Sequence, residues 1–190
     1  MTIPASQISG LILCGGEGRR MGGVDKGLVS FHGKPLVDIA IARLSPQVGQ
    51  LMISANRNIQ QYEQRNCAVL KDPDFQDDGP NYEGPLAGIL AGLRRCTTEW
   101  LAIVPCDCPQ FPLDFVSRLS LTSEAHDTSS YVQGHPTFAL LRKSELPKLE
   151  HYLQHGKRKL GDWLEEIKAS PVPFELEDAF RNLNSPEDLS

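Results

Sequence analysis

The chain of 190 residues has no apolar run approaching 18 residues, so a membrane-spanning helix is not expected. Its first residues, Met1-Thr-Ile-Pro-Ala-Ser-Gln7, lack the basic start and long apolar centre of a secretory leader, and the chain is expected in the cytoplasm. Basic residues are not in excess: Lys and Arg number 19 against 24 Asp and Glu, a net charge of −5. That balance argues against nucleic acid as a bulk partner. The five cysteines are an odd number without framework spacing, which fits free thiols in a reducing compartment. Cys106-x-Cys108 is too tight for the usual zinc spacing and has no second Cys/His pair in step with it. Repeats and low-complexity tracts are absent. A chain of this length buries well over half its surface, so one domain spanning residues 1–190 is expected to fold without staples.

The most informative stretch is Leu11 to Lys26. The apolar run Ile8–Leu13 is short enough for a buried strand. It stops at five glycines within nine residues: Gly15, Gly16, Gly18, Gly22 and Gly23. Glycines after a strand let the backbone approach a ligand closely, and their unpaired N–H groups form a concave anion site. From Gly15 to Lys34, four basic residues (Arg19, Arg20, Lys26, Lys34) face two acidic ones, Glu17 and Asp25. An acidic chain with one basic glycine loop suits a small anionic ligand. Neither common glycine motif fits. Met21 stands where the dinucleotide fingerprint needs glycine, and Lys26 follows Asp25 where a P-loop needs glycine.

Strands and helices then alternate. Strands are expected at Gln50–Ser54, Ala68–Leu70, Trp100–Pro105, Ser130–Gln133, Pro136–Arg142 and Val172–Glu175. Leu28–Phe31 reads as a short extended piece closed by the turn His32-Gly33-Lys34. Helices are expected from Pro35 to Leu44, weakly at Ile59–Gln64, from Gly84 to Arg95, from Pro112 to Leu119, from a Ser144 cap to about His155, and at Leu160–Ile167. Thr122–Ser130 reads as loop, and Ser185-Pro-Glu-Asp188 has the form of a capping box. This alternation predicts an α/β fold, a mostly parallel sheet with helices on both faces. Ligands in such sheets bind at the carboxyl ends of strands. The glycine loop, the aperiodic stretch Lys71–Gly84 and Asp107 all follow strand ends.

Two residues carry chemical promise by type and place. Lys26 could neutralise charge on a transferring phosphoryl group, or could be a solvated surface lysine. Apolar Leu101-Ala-Ile-Val104 delivers Asp107 to the sheet edge. There it could hold magnesium, which takes one or two carboxylates plus phosphate oxygens, or simply start a turn.

The run Leu13-Cys-Gly-Gly-Glu-Gly-Arg-Arg-Met-Gly-Gly-Val-Asp-Lys-Gly-Leu28 resembles the signature of the molybdenum cofactor guanylyltransferases. These are nucleotidyltransferases with a Gly-Gly-x-(Gly/Ala)-x-Arg-Met loop and a Rossmann-like single-domain fold. The resemblance continues through Lys71-Asp-Pro-Asp74, Gly84-Pro-Leu-Ala-Gly88, Pro105-Cys-Asp-Cys-Pro109, Gly134-His-Pro-Thr-Phe-Ala-Leu140, Tyr152-Leu-Gln-His-Gly-Lys-Arg-Lys159 and Arg181-Asn-Leu-Asn-Ser-Pro-Glu187. It implies that the amino-terminal half binds nucleotide and the carboxyl-terminal half a pterin cofactor. By it, Leu13, Cys14 and Gly15 contact guanine and ribose, and Gly16 belongs to the nucleotide-binding loop. Arg20 and Lys26 hold the triphosphate, Asp72 touches the nucleotide, and Asp107 is the Mg2+ ligand. Ser54 stands where the family often has a nucleotide-binding asparagine, two residues before Asn56-Arg57. His135, Arg158, Asn182 and Asn184 are implied at the pterin site.

The activity so implied is transfer of GMP from GTP to the terminal phosphate of molybdopterin, or of its molybdenum-bound form. The resemblance also leaves room for transient contact with cofactor-biosynthesis and acceptor proteins. Cytidylyl transfer to the same cofactor, or transfer to a sugar phosphate, would use the same first half. A non-catalytic nucleotide-binding module is the other class, and it has no need of a metal carboxylate.

Overall fold

The computed structural model describes residues 2–15, 25–72, 84–175, 177–183 and 188. In chain order the elements are β1 (Ile8–Leu13), β2 (Ser30–Phe31), β3 (Lys34–Pro35), α1 (Leu36–Leu44), β4 (Gln50–Ser54), α2 (Ile59–Glu63), β5 (Ala68–Leu70), α3 (Pro85–Arg95), β6 (Trp100–Pro105), α4 (Phe115–His126), β7 (Ser130–Val132), β8 (His135–Arg142), α5 (Leu146–Gln154), α6 (Leu160–Glu166) and β9 (Ser170–Val172). Among the described residues, five short 3-10 turns accompany them, one of them at Lys26–Leu28.

Seven strands form one sheet in the order β5-β4-β1-β6-β8-β7-β9. The pairs β5·β4, β4·β1, β1·β6 and β7·β9 are parallel; β8 runs against both β6 and β7. The expected mostly parallel α/β architecture is therefore present. The chain builds outward from β1 through β4 to β5, then returns to the other side of β1 for β6. Strand order reverses between β1 and β6, and ligands of open α/β sheets bind at that reversal.

The central strands have no polar face because both faces are covered. Ile8, Ile12 and Cys14 share one core layer with Trp100, Ala102 and Val104. Leu11 and Leu13 share the other with Leu101 and Ile103. Successive strand residues point to opposite faces, so all six residues of β1 and of β6 are buried. The first layer packs Val37, Ala40 and Leu44 of α1 and Phe115 and Leu119 of α4. The second packs Leu86, Ile89 and Leu93 of α3, Leu149 of α5 and Trp163 of α6. Helix α3 approaches closely through Gly88 and Gly92. A Cβ on Gly88 would lie 2.5 Å from Ser54 Oγ, and one on Gly92 2.6 Å from Leu11 Cδ2.

Some expectations need correction. Thr122–Ser130 is not a loop throughout: α4 continues to His126. Its polar residues are accommodated because Ser120 Oγ donates to the Val116 carbonyl and Ser123 Oγ meets Ser130 Oγ at 2.8 Å. Ser144 gives α5 no side-chain cap; a 3-10 turn at Lys143–Glu145 leads into the helix instead. The last strand is Ser170–Val172, set by parallel pairing with β7, rather than Val172–Glu175. The capping box at Ser185–Asp188 lies outside the described residues, apart from Asp188. Among the described residues, no helix is long and apolar enough to cross a membrane.

Candidate nucleotide-transfer site

Pairing of β1 with its neighbours persists past its last residue. Cys14 N donates to the Ser54 carbonyl at 2.8 Å, and Cys106 N donates to the Leu13 carbonyl at 3.1 Å. Three strand ends are thereby held level, and the turn after β6 presents Asp107 beside the end of β1. Lys26, beyond the glycine loop in sequence, stands at the same edge. Its Nζ lies 3.1 Å from Asp107 Oδ2. The lysine side chain is 26% exposed and the aspartate 14%. Both groups thus face the point of strand reversal from a partly shielded position.

Among the described residues, no group of three or more His, Cys, Asp or Glu could hold a metal ion by itself. A single carboxylate beside a lysine at the strand ends nonetheless suits magnesium, which can take waters and phosphate oxygens as its remaining ligands.

On the opposite side of β1, Asp72 follows β5. Asn56 Nδ2 donates to Asp72 Oδ2 at 2.7 Å, and Asp72 N donates to Asn56 Oδ1 at 2.9 Å. The other carboxylate oxygen, Oδ1, is buried without a hydrogen-bond partner among the described residues. Burial raises the Asp72 pKa, with hydrogen bonds from Asn56 and Ser54 opposing the rise. Ser54 itself is 1% exposed, its hydroxyl enclosed by Gly88 of α3 and this carboxylate.

Cys14 does not present its side chain as an open loop residue would. It is buried, and burial pushes its thiol well up, with Cys106 and Tyr62 as hydrogen-bonding neighbours. Only its backbone remains to meet a ligand. Gly15 follows, close to Asn56: a Cβ there would lie 3.8 Å from Asn56 Nδ2.

The carboxyl-terminal half reaches the same edge because β8 is reversed. Its first residue, His135, stacks on Phe180 with ring centroids 5.2 Å apart. Phe180 is buried against Phe138 and Phe174. Beyond Phe180 the chain passes over the Asp107 turn. Leu183 N donates to the Asp107 carbonyl at 2.8 Å, and the Cys108 thiol lies 2.7 Å from Asn182 Oδ1. Burial raises the Cys108 thiol pKa and so keeps the proton for that bond. His135 and Asn182 are brought to the side of the sheet that carries Asp107.

Arg158 sits apart from this pair, in the α5–α6 connection. Its guanidinium donates to the Leu153 and Lys157 carbonyls at 2.8 and 2.7 Å. It lines an open cavity of about 330 Å³ with Tyr152, Lys157, Lys159, Asp162 and Glu166. Gly16, Arg20 and Asn184 lie outside the described residues, as does most of the stretch Lys71–Gly84.

Sequence reasoning passed over Asp25, Asn58 and Tyr62. Asp25 is 8% exposed, and its carboxylate accepts from Tyr62 Oη at 2.5 Å and from Asn58 Nδ2 at 3.0 Å. An acid beside a lysine in a glycine loop reads as charge balance; nothing local pairs it with a tyrosine 37 residues on.

Known proteins resemble this chain in sequence and in fold. A family model described as the MobA-like NTP transferase domain matches residues 10–170. The chain belongs to this nucleotidyltransferase family. It is 42% identical to a molybdenum cofactor guanylyltransferase of Bordetella petrii, over 98% of this chain and 97% of that one. It is 43% identical to one of Polynucleobacter asymbioticus, over 98% and 96%. The crystal structure of molybdopterin-guanine dinucleotide biosynthesis protein A from Archaeoglobus fulgidus superposes with a TM-score of 0.74 at 24% identity, covering 95% of this chain and 94% of that one, and so shares its fold.

Proposed function

We propose that the chain transfers GMP from GTP to the terminal phosphate of molybdopterin, in its metal-free or molybdenum-bound form, and releases pyrophosphate. The observation that carries this reading is the meeting of Lys26 and Asp107, 3.1 Å apart at the point where strand order reverses. The near-full-length relatives that are guanylyltransferases support the choice of nucleotide and acceptor.

In this reading the backbone of Leu13, Cys14 and Gly15 meets guanine and ribose, Asp72 contacts the nucleotide, and Gly16, Arg20 and Lys26 hold the triphosphate. The Ser54 hydroxyl, enclosed by Gly88 and near Asp72, favours the charged form of that carboxylate and stands in place of an asparagine reaching the base. The acceptor's phosphate oxygen forms a bond to the α-phosphorus, and the bond from that phosphorus to the β-bridging oxygen breaks. No general base is required, because a phosphate nucleophile is already ionised at neutral pH. The protein's task is positioning and charge stabilisation. Asp107 would hold the Mg2+ ion, which when bound neutralises the charge that builds on the phosphates. Lys26 supplies a fixed positive charge at the same place. His135, Asn182 and Asn184 line the acceptor side, and Arg158 reaches an anionic group of the pterin from the α5–α6 cavity. We place the protein in the cytoplasm, with transient contacts to the proteins that deliver and receive the cofactor.

The test is a thermal-shift panel of GTP, CTP, ATP and UTP, each with and without magnesium. A nucleotide at one hundred times its dissociation constant stabilises by about 2.7 kcal/mol. A GTP-selective shift followed by GMP transfer to molybdopterin is the expected result. A CTP-selective shift would overturn the guanine assignment, and no shift with any nucleotide would overturn the catalytic reading.

A further inference from the structure

Lys26 is gripped on both sides by one residue, Tyr62 of α2. On the amino-terminal side, the Tyr62 hydroxyl donates a hydrogen bond to Asp25 Oδ1 at 2.5 Å. On the carboxyl-terminal side, Gly27 rests against the same hydroxyl: a Cβ there would clash with it and would lie 3.2 Å from Cys14 Sγ. Tyr62 is fully buried in the first core layer. It is therefore a fixed point, not a mobile surface ring.

Asn58 completes the arrangement. It precedes α2 with φ +49°, in the left-handed region, and gives α2 no side-chain cap. Its amide goes instead to Asp25 Oδ2 at 3.0 Å. The Asp25 carbonyl then accepts Leu28 N at 3.0 Å, and the Lys26 carbonyl accepts Val29 N at 3.1 Å, closing the 3-10 turn that carries the lysine. A carboxylate at 8% exposure is costly to desolvate, and an apolar side chain would fill the same space more cheaply. The charge is explained by its two bonds, one to Tyr62 of α2 and one to Asn58 just before that helix.

We infer that Asp25, Asn58 and Tyr62 form a positioning clamp that fixes the main chain of Lys26, so that its ammonium meets the triphosphate opposite Asp107. This rests on the reading of Lys26 as a triphosphate contact. A lysine side chain has a long flexible stem, so the place of its ammonium depends on where its Cα is anchored. Misplacement by about 1 Å is enough to cost on the order of 10²-fold in rate. The clamp residues touch no substrate; they act through Lys26.

The experiment is a double-mutant cycle on full-length enzyme, measuring kcat and the KM for GTP. Tyr62→Phe keeps the ring and removes the hydroxyl. Asn58→Gly removes the amide, and glycine adopts φ +49° without strain. Tyr62→Phe is expected to lower kcat about 10-fold and Asn58→Gly about 3-fold. In a Lys26→Ala background neither is expected to cost anything further, because residues that act as a unit are non-additive. Losses of the same factor in both backgrounds would show general structural damage and overturn the clamp, as would unchanged kcat in the single variants. If Tyr62→Phe does not fold, Asn58→Gly carries the test. A wild-type rate in Lys26→Ala itself would overturn the triphosphate reading, and the clamp with it, and is told apart from the other outcomes by that one variant.

Discussion

The ammonium of Lys26 and the carboxylate of Asp107 lie 3.1 Å apart although 81 residues separate them in sequence. The pair is partly shielded, so the desolvation of two charges offsets much of their attraction and it contributes little to folding. Its value is in what it offers a ligand: one group that attracts phosphate and one that attracts a cation, at a single point.

Asp107→Ala should therefore abolish magnesium-dependent turnover while leaving the circular dichroism spectrum unchanged. Lys26→Ala should retain the fold and lose about 10²-fold or more in kcat, as removal of a preorganised charge contact does. Steady-state kinetics on both variants checks this. Full activity in either would return that residue to an ordinary surface role.

Asp72 gives stability a pH dependence of definite sign. Burial raises its pKa in the folded protein above the unfolded value. The folded state then holds the proton to higher pH than the unfolded state does. The contribution is fully present below the unfolded pKa and is lost as pH rises through the raised value. Asp72→Asn, which cannot ionise, should lack this decline. Its stability relative to the native protein should climb across the acidic range and then level off. Asn56→Ala removes the donor to Oδ2, so it should cost about 1–2 kcal/mol and move the decline to higher pH. Urea unfolding at a series of pH values measures both, and parallel curves for the native protein and Asp72→Asn would contradict the assignment.

Asn182 should separate the two substrates. It is tied to Cys108 and flanked by the Leu183 bond to the Asp107 carbonyl, on what we propose is the acceptor side of the turn. Asn182→Ala should raise the KM for the pterin substrate about 10-fold and leave the GTP-dependent thermal shift intact, in line with loss of one hydrogen bond to a charged ligand. An equal loss of the GTP shift would place Asn182 on the nucleotide side.

The sheet was readable in the sequence wherever strands are covered on both faces. Ile8–Leu13 and Trp100–Pro105 are near-continuous apolar runs, and both are central strands. Lys26 and Asp107 stood out because each has a chemically loaded side chain next to a turn signal. The end of α4 was hidden because Ser120 and Ser123 are polar in sequence yet bond within the core. The clamp was hidden for a similar reason. Tyr62 sits in a five-residue helix with weak periodicity, and its partner is 37 residues earlier. Cys14 reads as loop, but strand pairing runs one residue further and folds its thiol inward.

The reversal of β8 has a consequence for how such an enzyme can change. Residues on the nucleotide side hang from strand exits, at the ends of β1, β4, β5 and β6. His135 hangs from a strand entrance, just after the turn at Gly134, which holds φ +82°. Insertions or exchanges in that turn would reshape the proposed acceptor side without shifting the register of the parallel strands. If His135 recognises the acceptor as proposed, the two specificities hang from opposite chain directions, and a lineage could remodel one substrate's recognition while the other stays in place.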